Sequence, residues 1–151
     1  MNERVIIRAV DWTDQREQLL AVRFSVFVDE QGVPAEMEED EYDSQALHLL
    51  ATAPSGEPVA CARMIHSNNL GHIGRMAVLP EYRRLGLGTR LLRRLLQLAD
   101  RQGLAQVQLH AQCNAEGFYR KQGFLSFGEV FEEAGIPHRK MMRSHPVKTA
   151  R

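Results

Sequence analysis

Hydrophobic positions fall into short blocks of two kinds along the chain, period-two or continuous runs and runs at helical spacing. Val5 to Val10 is apolar and β-branched and predicts a first strand. Leu19, Leu20, Arg23, Phe24 and Phe27 then recur at helical spacing, behind Asp14 and Glu17 in the arrangement of a capping box. Gln31-Gly32-Val33-Pro34 closes that helix, and the acidic stretch after it reads as loop. Leu47–Ala53 and Val59–His66 predict two strands, and Pro54-Ser55-Gly56-Glu57 between them makes a hairpin. A further strand is predicted over His72–Leu79 and a strongly amphipathic helix over Leu87–Gln102. In that helix Leu91, Leu95 and Leu98 form a stripe that Leu92, Leu96 and Ala99 widen, and Gly103 stops it. Gln106–Ala111 alternates as a strand. Asn114 is placed to cap a short helix ending before Gly123, and Leu125–Phe131 and His138–Met142 are the last strands.

The order β-α-β-β-β-α-β-α-β-β implies an α/β (α+β) domain over residues 1–143, with a flexible basic tail over 144–151. The strand–helix–strand unit from His72 to Ala111 requires a right-handed crossover and parallel strands.

Composition narrows the class. With 151 residues, 44% hydrophobic and 25% charged, the chain is long enough for a full core. Its net charge of zero gives no global field toward nucleic acid or membrane, and neither is expected as a partner. No apolar run is long enough for a signal or a bilayer span, so a cytoplasmic location is expected. Cys61 and Cys113 show no metal-type spacing, nor do the six histidines, and no metal is expected. The charges are unevenly placed: Glu36–Asp43 holds six acids, and Arg83–Arg94 holds five arginines and no acid.

That second stretch contains the chemistry. Arg83-Arg84-Leu85-Gly86-Leu87-Gly88-Thr89 joins a predicted strand to a predicted helix. Glycines at such a turn let backbone approach a ligand, and the first amides of the helix have no partner within it. With the positive helix end and two arginines, they make a seat for phosphate. A nucleotide P-loop requires a Gly-Lys-Ser/Thr ending that is missing here. A dinucleotide fold requires a third glycine where this chain has Leu91, and an acid after the Gln106–Ala111 strand.

The pattern Arg/Gln-x-x-Gly-x-Gly/Ala, filled by Arg83, Gly86 and Gly88, resembles the GNAT superfamily of acetyl-CoA-dependent N-acetyltransferases. Gly74-Arg75-Met76-Ala77-Val78-Leu79-Pro80-Glu81-Tyr82-Arg83 looks like the family's fourth strand and its exit. Asn114 and Gly117-Phe118-Tyr119-Arg120-Lys121-Gln122-Gly123-Phe124 look like its later Asn and Tyr-x-x-x-Gly-Phe segment. Phe27-Val28-Asp29-Glu30-Gln31-Gly32-Val33-Pro34 and Gly135-Ile136-Pro137-His138 resemble the ElaA-like and YjcF-like branch. The resemblance covers roughly the whole chain.

It implies a mixed, mostly antiparallel sheet with two splayed parallel strands flanked by helices. It also implies acetyl-CoA as co-substrate. Amides from Leu85, Gly86, Leu87, Gly88 and Thr89 would bind the pyrophosphate, with charge from Arg83 and Arg84. Backbone of Met76, Ala77 and Val78 would meet the pantetheine and stabilise the oxyanion, with Asn114 and Phe118 also on the cofactor. Tyr119 would be the acid at the sulfur. The expected activity is acetyl transfer to a small-molecule primary amine by direct attack in a ternary complex. A protein N-acetyltransferase and a non-catalytic acyl-CoA-binding module are the alternatives, and the sequence leaves a homodimer open. A covalent route through Cys113 competes with a buried, inert thiol there.

For the base, His138 stands first because histidine titrates nearest neutrality and Pro137 makes its approach rigid; Glu30, His48 and a water relay come after it. Arg23 and Arg75 are candidates to hold an anionic group of the acceptor, and the acids of 36–43 to attract a cationic one. The competing reading for both sets is salt bridging within the scaffold.

Overall fold

A computed structural model describes residues 4–144. The elements are β1 (Ile6–Val10), α1 (Trp12–Arg23), a π-helical segment (Phe24–Glu30), β2 (Leu47–Thr52), β3 (Pro58–Ser67), β4 (Leu70–Val78), α2 (Leu87–Arg101), β5 (Gln106–Gln112), α3 (Glu116–Lys121), β6 (Leu125–Glu133) and β7 (Ile136–Ser144). The sheet runs β1-β2-β3-β4-β5-β7-β6. β4 and β5 are its parallel pair, so the α/β class with a mostly antiparallel sheet is what the chain forms.

The described residues divide into two compact units, 4–65 with 74–95, and 66–73 with 96–144. In the first, β1, β2 and β3 form an antiparallel meander. Leu19, Val22 and Val26 pack with Leu50, Cys61 and Ala77, and Val10, Trp12, Phe27 and Leu79 border them. Leu91, Leu92 and Leu95 of the predicted α2 stripe are buried, and so is Leu87 ahead of it, whereas Leu98 is only half-buried. The β2–β3 hairpin closes at the predicted turn, where Ala53 N–H donates to the Glu57 carbonyl. In the second unit β4 pairs with β5 from Leu70↔Gln106 to Ile73↔Leu109, and β7 lies between β5 and β6. Gly103 (φ 73) ends α2, and the Leu104 N–H returns to the Ala99 carbonyl.

Several boundaries differ from the pattern. No capping box starts α1. The helix begins at Trp12 after Asp11, and Asp14 lies in its first turn, where Gln15 departs from helical angles. Asn114 does not cap α3 through its side chain; it sits in a 3₁₀ turn, and Ala115 occupies the cap position. The last two strands extend into one hairpin closed by Ala134 and Gly135, both at positive φ. Two consecutive left-handed residues match the right-handed twist of the flanking strands. Ser144 is the last residue of β7 and pairs with Gln106; the remainder of the predicted tail lies outside the described residues.

Leu91 is fully buried on α2. Leu91→Ala is expected to cost about 2–5 kcal/mol through lost contacts and the cavity left behind. Urea denaturation checks this, and a loss under about 1 kcal/mol would contradict the packing.

Candidate active site

The turn into α2 is shaped by two left-handed residues. After β4 a single 3₁₀ turn (Pro80–Tyr82) leads to an extended Arg83. Arg84 then takes φ 65 and Gly86 φ 81. Glycine does this freely, whereas for Arg84 the conformation costs roughly 1–2 kcal/mol. Leu87, buried at the first helical position, anchors the start of the helix. Arg90 N–H donates to the Gly86 carbonyl as the helix begins, and the first amides of an α-helix have no acceptor within its own ladder. No acidic residue occupies the first turn. Helices commonly place a carboxylate there against the positive dipole end, and here that complement is left to something else.

Arg83 is less available than its sequence position suggests. Its guanidinium makes a two-pronged pair with Glu30 (2.7 and 2.6 Å), and its Nε–H donates to the Val78 carbonyl at 2.9 Å. Both partners are more than a third exposed (38% and 39%), so the pair contributes at most about 1 kcal/mol and can exchange partners. The hydrogen bond from Arg83 holds the Glu30 carboxyl below its ordinary value, which makes Glu30 a weaker base. Arg84 is exposed.

Arg23 and Arg75, the candidates for an acceptor's anionic group, are engaged with the acidic loop. Arg23 is 1% exposed. It donates to the Glu38 carboxylate (2.8 Å), the Glu38 carbonyl (2.7 Å) and both oxygens of Asp43 (2.8 and 3.1 Å). Its other side lies over the Trp12 ring. Arg63 bridges Asp40 and Asp43, and Arg75 reaches the Glu38 carbonyl, the Glu38 carboxylate (3.0 Å) and Asp40 (3.2 Å). Three arginines thus close on three acids. The scaffold reading holds for these residues, and Glu38, Asp40 and Asp43 are spent on them rather than offered to a cationic acceptor. Burial pushes the Asp43 carboxyl up, but hydrogen bonds from Arg23, the Asp40 amide and Arg63 outweigh it and hold the group at about 2. At Glu38 burial wins and the carboxyl is raised. His48 is buried in the same region, stacked on Trp12, with its Nε2–H donating to the Asp43 carbonyl. Burial lowers its pKa, and the nitrogen that faces Asp43 carries the proton.

Arg75 has a second unusual property, φ 50 within β4. Its carbonyl accepts from the Cys61 Sγ–H, and the Ala77 N–H also faces that sulfur. Burial pushes the Cys61 thiol up to about 12, which makes it inert.

In the second unit Tyr119 lies on α3, edge-on to Phe118 (5.0 Å) and Phe124 (6.0 Å). Burial pushes its phenol up to about 12, so at neutral pH it is a donor. Asn114 is exposed and Cys113 half-buried. His138 is 7% exposed, and its Nδ1–H donates to the Ile136 carbonyl at 2.6 Å. That bond fixes the tautomer and leaves the lone pair on Nε2, the form a base requires. A pair the pattern did not single out lies nearby. His110 Nδ1 contacts Glu133 Oε1 at 2.8 Å and meets Phe131 edge-on, while Phe131 stacks on His138. The signal was the alternation of Gln106–Ala111, which puts His110 on the polar side of β5. Among the described residues no group of three or more His, Cys, Asp or Glu could hold a metal ion, and no helix is long and apolar enough to cross a membrane.

Fold and motifs agree with what comparison finds. Residues 11–144 match the acetyltransferase (GNAT) domain, and the chain belongs to that family. It is 36% identical over 132 residues to the uncharacterised N-acetyltransferase YjcF of Bacillus subtilis, covering 86% of this chain and 93% of that protein. Among solved structures, an acyl-CoA N-acyltransferase from Pseudomonas aeruginosa superposes with a TM-score of 0.84 at 32% identity, covering 93% of this chain and 99% of the other. Escherichia coli ElaA gives 0.83 at 30% identity, with coverage of 93% and 99%.

The charge set makes a measurable claim. Removing one partner of a buried pair strands the others, so Asp43→Asn is expected to cost about 3–5 kcal/mol. The folded carboxyl sits at about 2, against about 3.9 in an unfolded chain, so its share of stability is about 2–3 kcal/mol. That share is present above pH ~4 and is lost as pH falls toward the folded value. Glu38, raised, works the other way, because its protonation on acidification favours the folded state. Denaturation between pH 7 and 3 should therefore show a smaller acid-induced loss in Asp43→Asn than in the wild type. Equal losses would contradict the assignment.

Proposed function

We propose that the protein transfers an acetyl group from acetyl-CoA to a primary amine by direct attack in a ternary complex. The observation that carries this reading is the start of α2, with its left-handed Arg84 and Gly86 and a first turn that has no acid of its own. A diphosphate supplies the missing negative charge. In this reading amides from Leu85 to Thr89 bind the pyrophosphate, Gly86 and Gly88 allow close approach, and the Thr89 hydroxyl adds a contact. Arg84 supplies charge directly. Arg83 supplies it by turning from Glu30, an exchange that a half-exposed pair permits at small cost. Backbone of Met76 and Val78 meets the pantetheine, whereas the expected contact from Ala77 is not kept, because its N–H faces the Cys61 sulfur; Asn114 and Phe118 complete the cofactor contacts.

The amine loses a proton to His138 Nε2 and attacks the thioester carbonyl. The C–N bond forms, the C–S bond breaks, and a backbone N–H of β4 stabilises the intermediate oxyanion. Tyr119 serves the leaving sulfur. A phenol at about 12 is too weak an acid to hand its proton over fully to a thiolate whose thiol titrates near 8.5. Its role is therefore a hydrogen bond to the developing negative charge, and the proton taken from the amine ends on the thiol. Cys113 takes no part.

Acetyl-CoA is expected to raise the melting temperature, and thiol release should appear with at least one member of an amine panel. Stabilisation with no release on any amine would favour a binding module, and release only on peptides a protein acetyltransferase. Tyr119→Phe removes a donor to developing charge and should lower kcat by about 10²-fold. His138→Ala should lower kcat by about 10²-fold or more, the usual cost of removing a positioned base. Unchanged kinetics in either variant removes that residue from its role.

A further inference from the structure

β4 leaves its ladder with β5 after Ile73, and two residues later the backbone turns left-handed at Arg75. Gly74, which could take that conformation freely, is one position off, so the strain falls on a residue that carries a Cβ. Arg75 is tied at both ends. Its guanidinium is locked to the Glu38 carbonyl and carboxylate and to Asp40, and its carbonyl accepts from Cys61. Glu38 is itself fixed by the buried Arg23. Beyond Arg75, the Ala77 N–H faces the Cys61 sulfur, and the Val78 carbonyl accepts from Arg83. Peptide groups alternate edges along a strand. Pinning Ala77 to one edge therefore sends the Met76 and Val78 N–H groups to the other.

We propose that Arg75 is a positioning residue. Held by Glu38 and Asp40, it keeps its own backbone left-handed and so aims the Met76 and Val78 peptide groups at the amide-rich pantetheine arm. This rests on the cofactor reading of Met76 and Val78 given above. The acidic loop then acts on the cofactor site through one strained residue, without touching the cofactor itself.

The test titrates wild type, Arg75→Lys and Arg75→Gly with two probes by calorimetry. One is acetyl-CoA. The other is adenosine 3′,5′-bisphosphate, which has the nucleotide end of the cofactor and no pantetheine. Arg75→Gly is expected to weaken acetyl-CoA binding at least tenfold and leave the nucleotide within twofold of wild type, with Arg75→Lys between the two. Exchange of the Ala77 amide, followed without cofactor, should accelerate at least tenfold in Arg75→Gly. Equal loss for both probes, no loss for either, or unchanged exchange at Ala77 overturns the positioning role. Should wild type bind neither probe while exchange at Ala77 still accelerates, Arg75 holds the strand as described but the cofactor reading fails, and the aim at pantetheine falls with it.

Discussion

Three arginines and three carboxylates, taken out of water together, fix the geometry of the first unit. Arg23 comes from the end of α1, Arg63 from β3, Arg75 from β4, and Glu38, Asp40 and Asp43 from one loop. Desolvating each charge costs several kcal/mol, and only a closed, hydrogen-bonded set offsets it. The contacts tie a loop with almost no regular structure to α1, β3 and β4, while the buried Arg63 Nε–H is left without a partner. Apolar replacements of similar volume would serve stability as well or better. What they would not supply is a directional hold on the backbone at Arg75.

How far this was legible depends on the range of the interaction. The stripe Leu91, Leu92, Leu95, the hairpin at Pro54–Glu57 and the stop at Gly103 are local, and the pattern places each correctly. The charge set is not local. Arg23 and Asp43 are twenty residues apart, and Arg75 and Glu38 thirty-seven. The spacing shows acids and arginines and favours salt bridging within the scaffold over acceptor binding, but it does not say who meets whom; only the fold supplies the partners. The Ala134-Gly135 turn was missed because alanine is a poor signal for a left-handed position. The π-helical segment after Arg23 continues α1 directly, and no residue type in it marks the change of hydrogen-bond pattern.

The chemistry splits along the same line. The glycine turn can be read directly, since freedom at Gly86 and an acid-free helix start both follow from residue type; the left-handed Arg84 does not. The state of the side chains around it cannot. Arg83 spends its charge on Glu30 until something more anionic arrives, and the Tyr119 phenol, pushed up to about 12 by desolvation, is a donor rather than a strong acid. His138 has its tautomer set by a carbonyl two residues before it. Each of these depends on burial or on a partner, and each changes how a residue type works at its position.

The central claim is that amides at the start of α2 grip the diphosphate of a thioester carrier. Amide NMR with coenzyme A as titrant tests it most directly. The Gly86, Gly88 and Thr89 amide signals should move and saturate together, while the exposed turn at Ser55 and Gly56 stays still. Signals at 86–89 that remain unmoved at millimolar coenzyme A would contradict it.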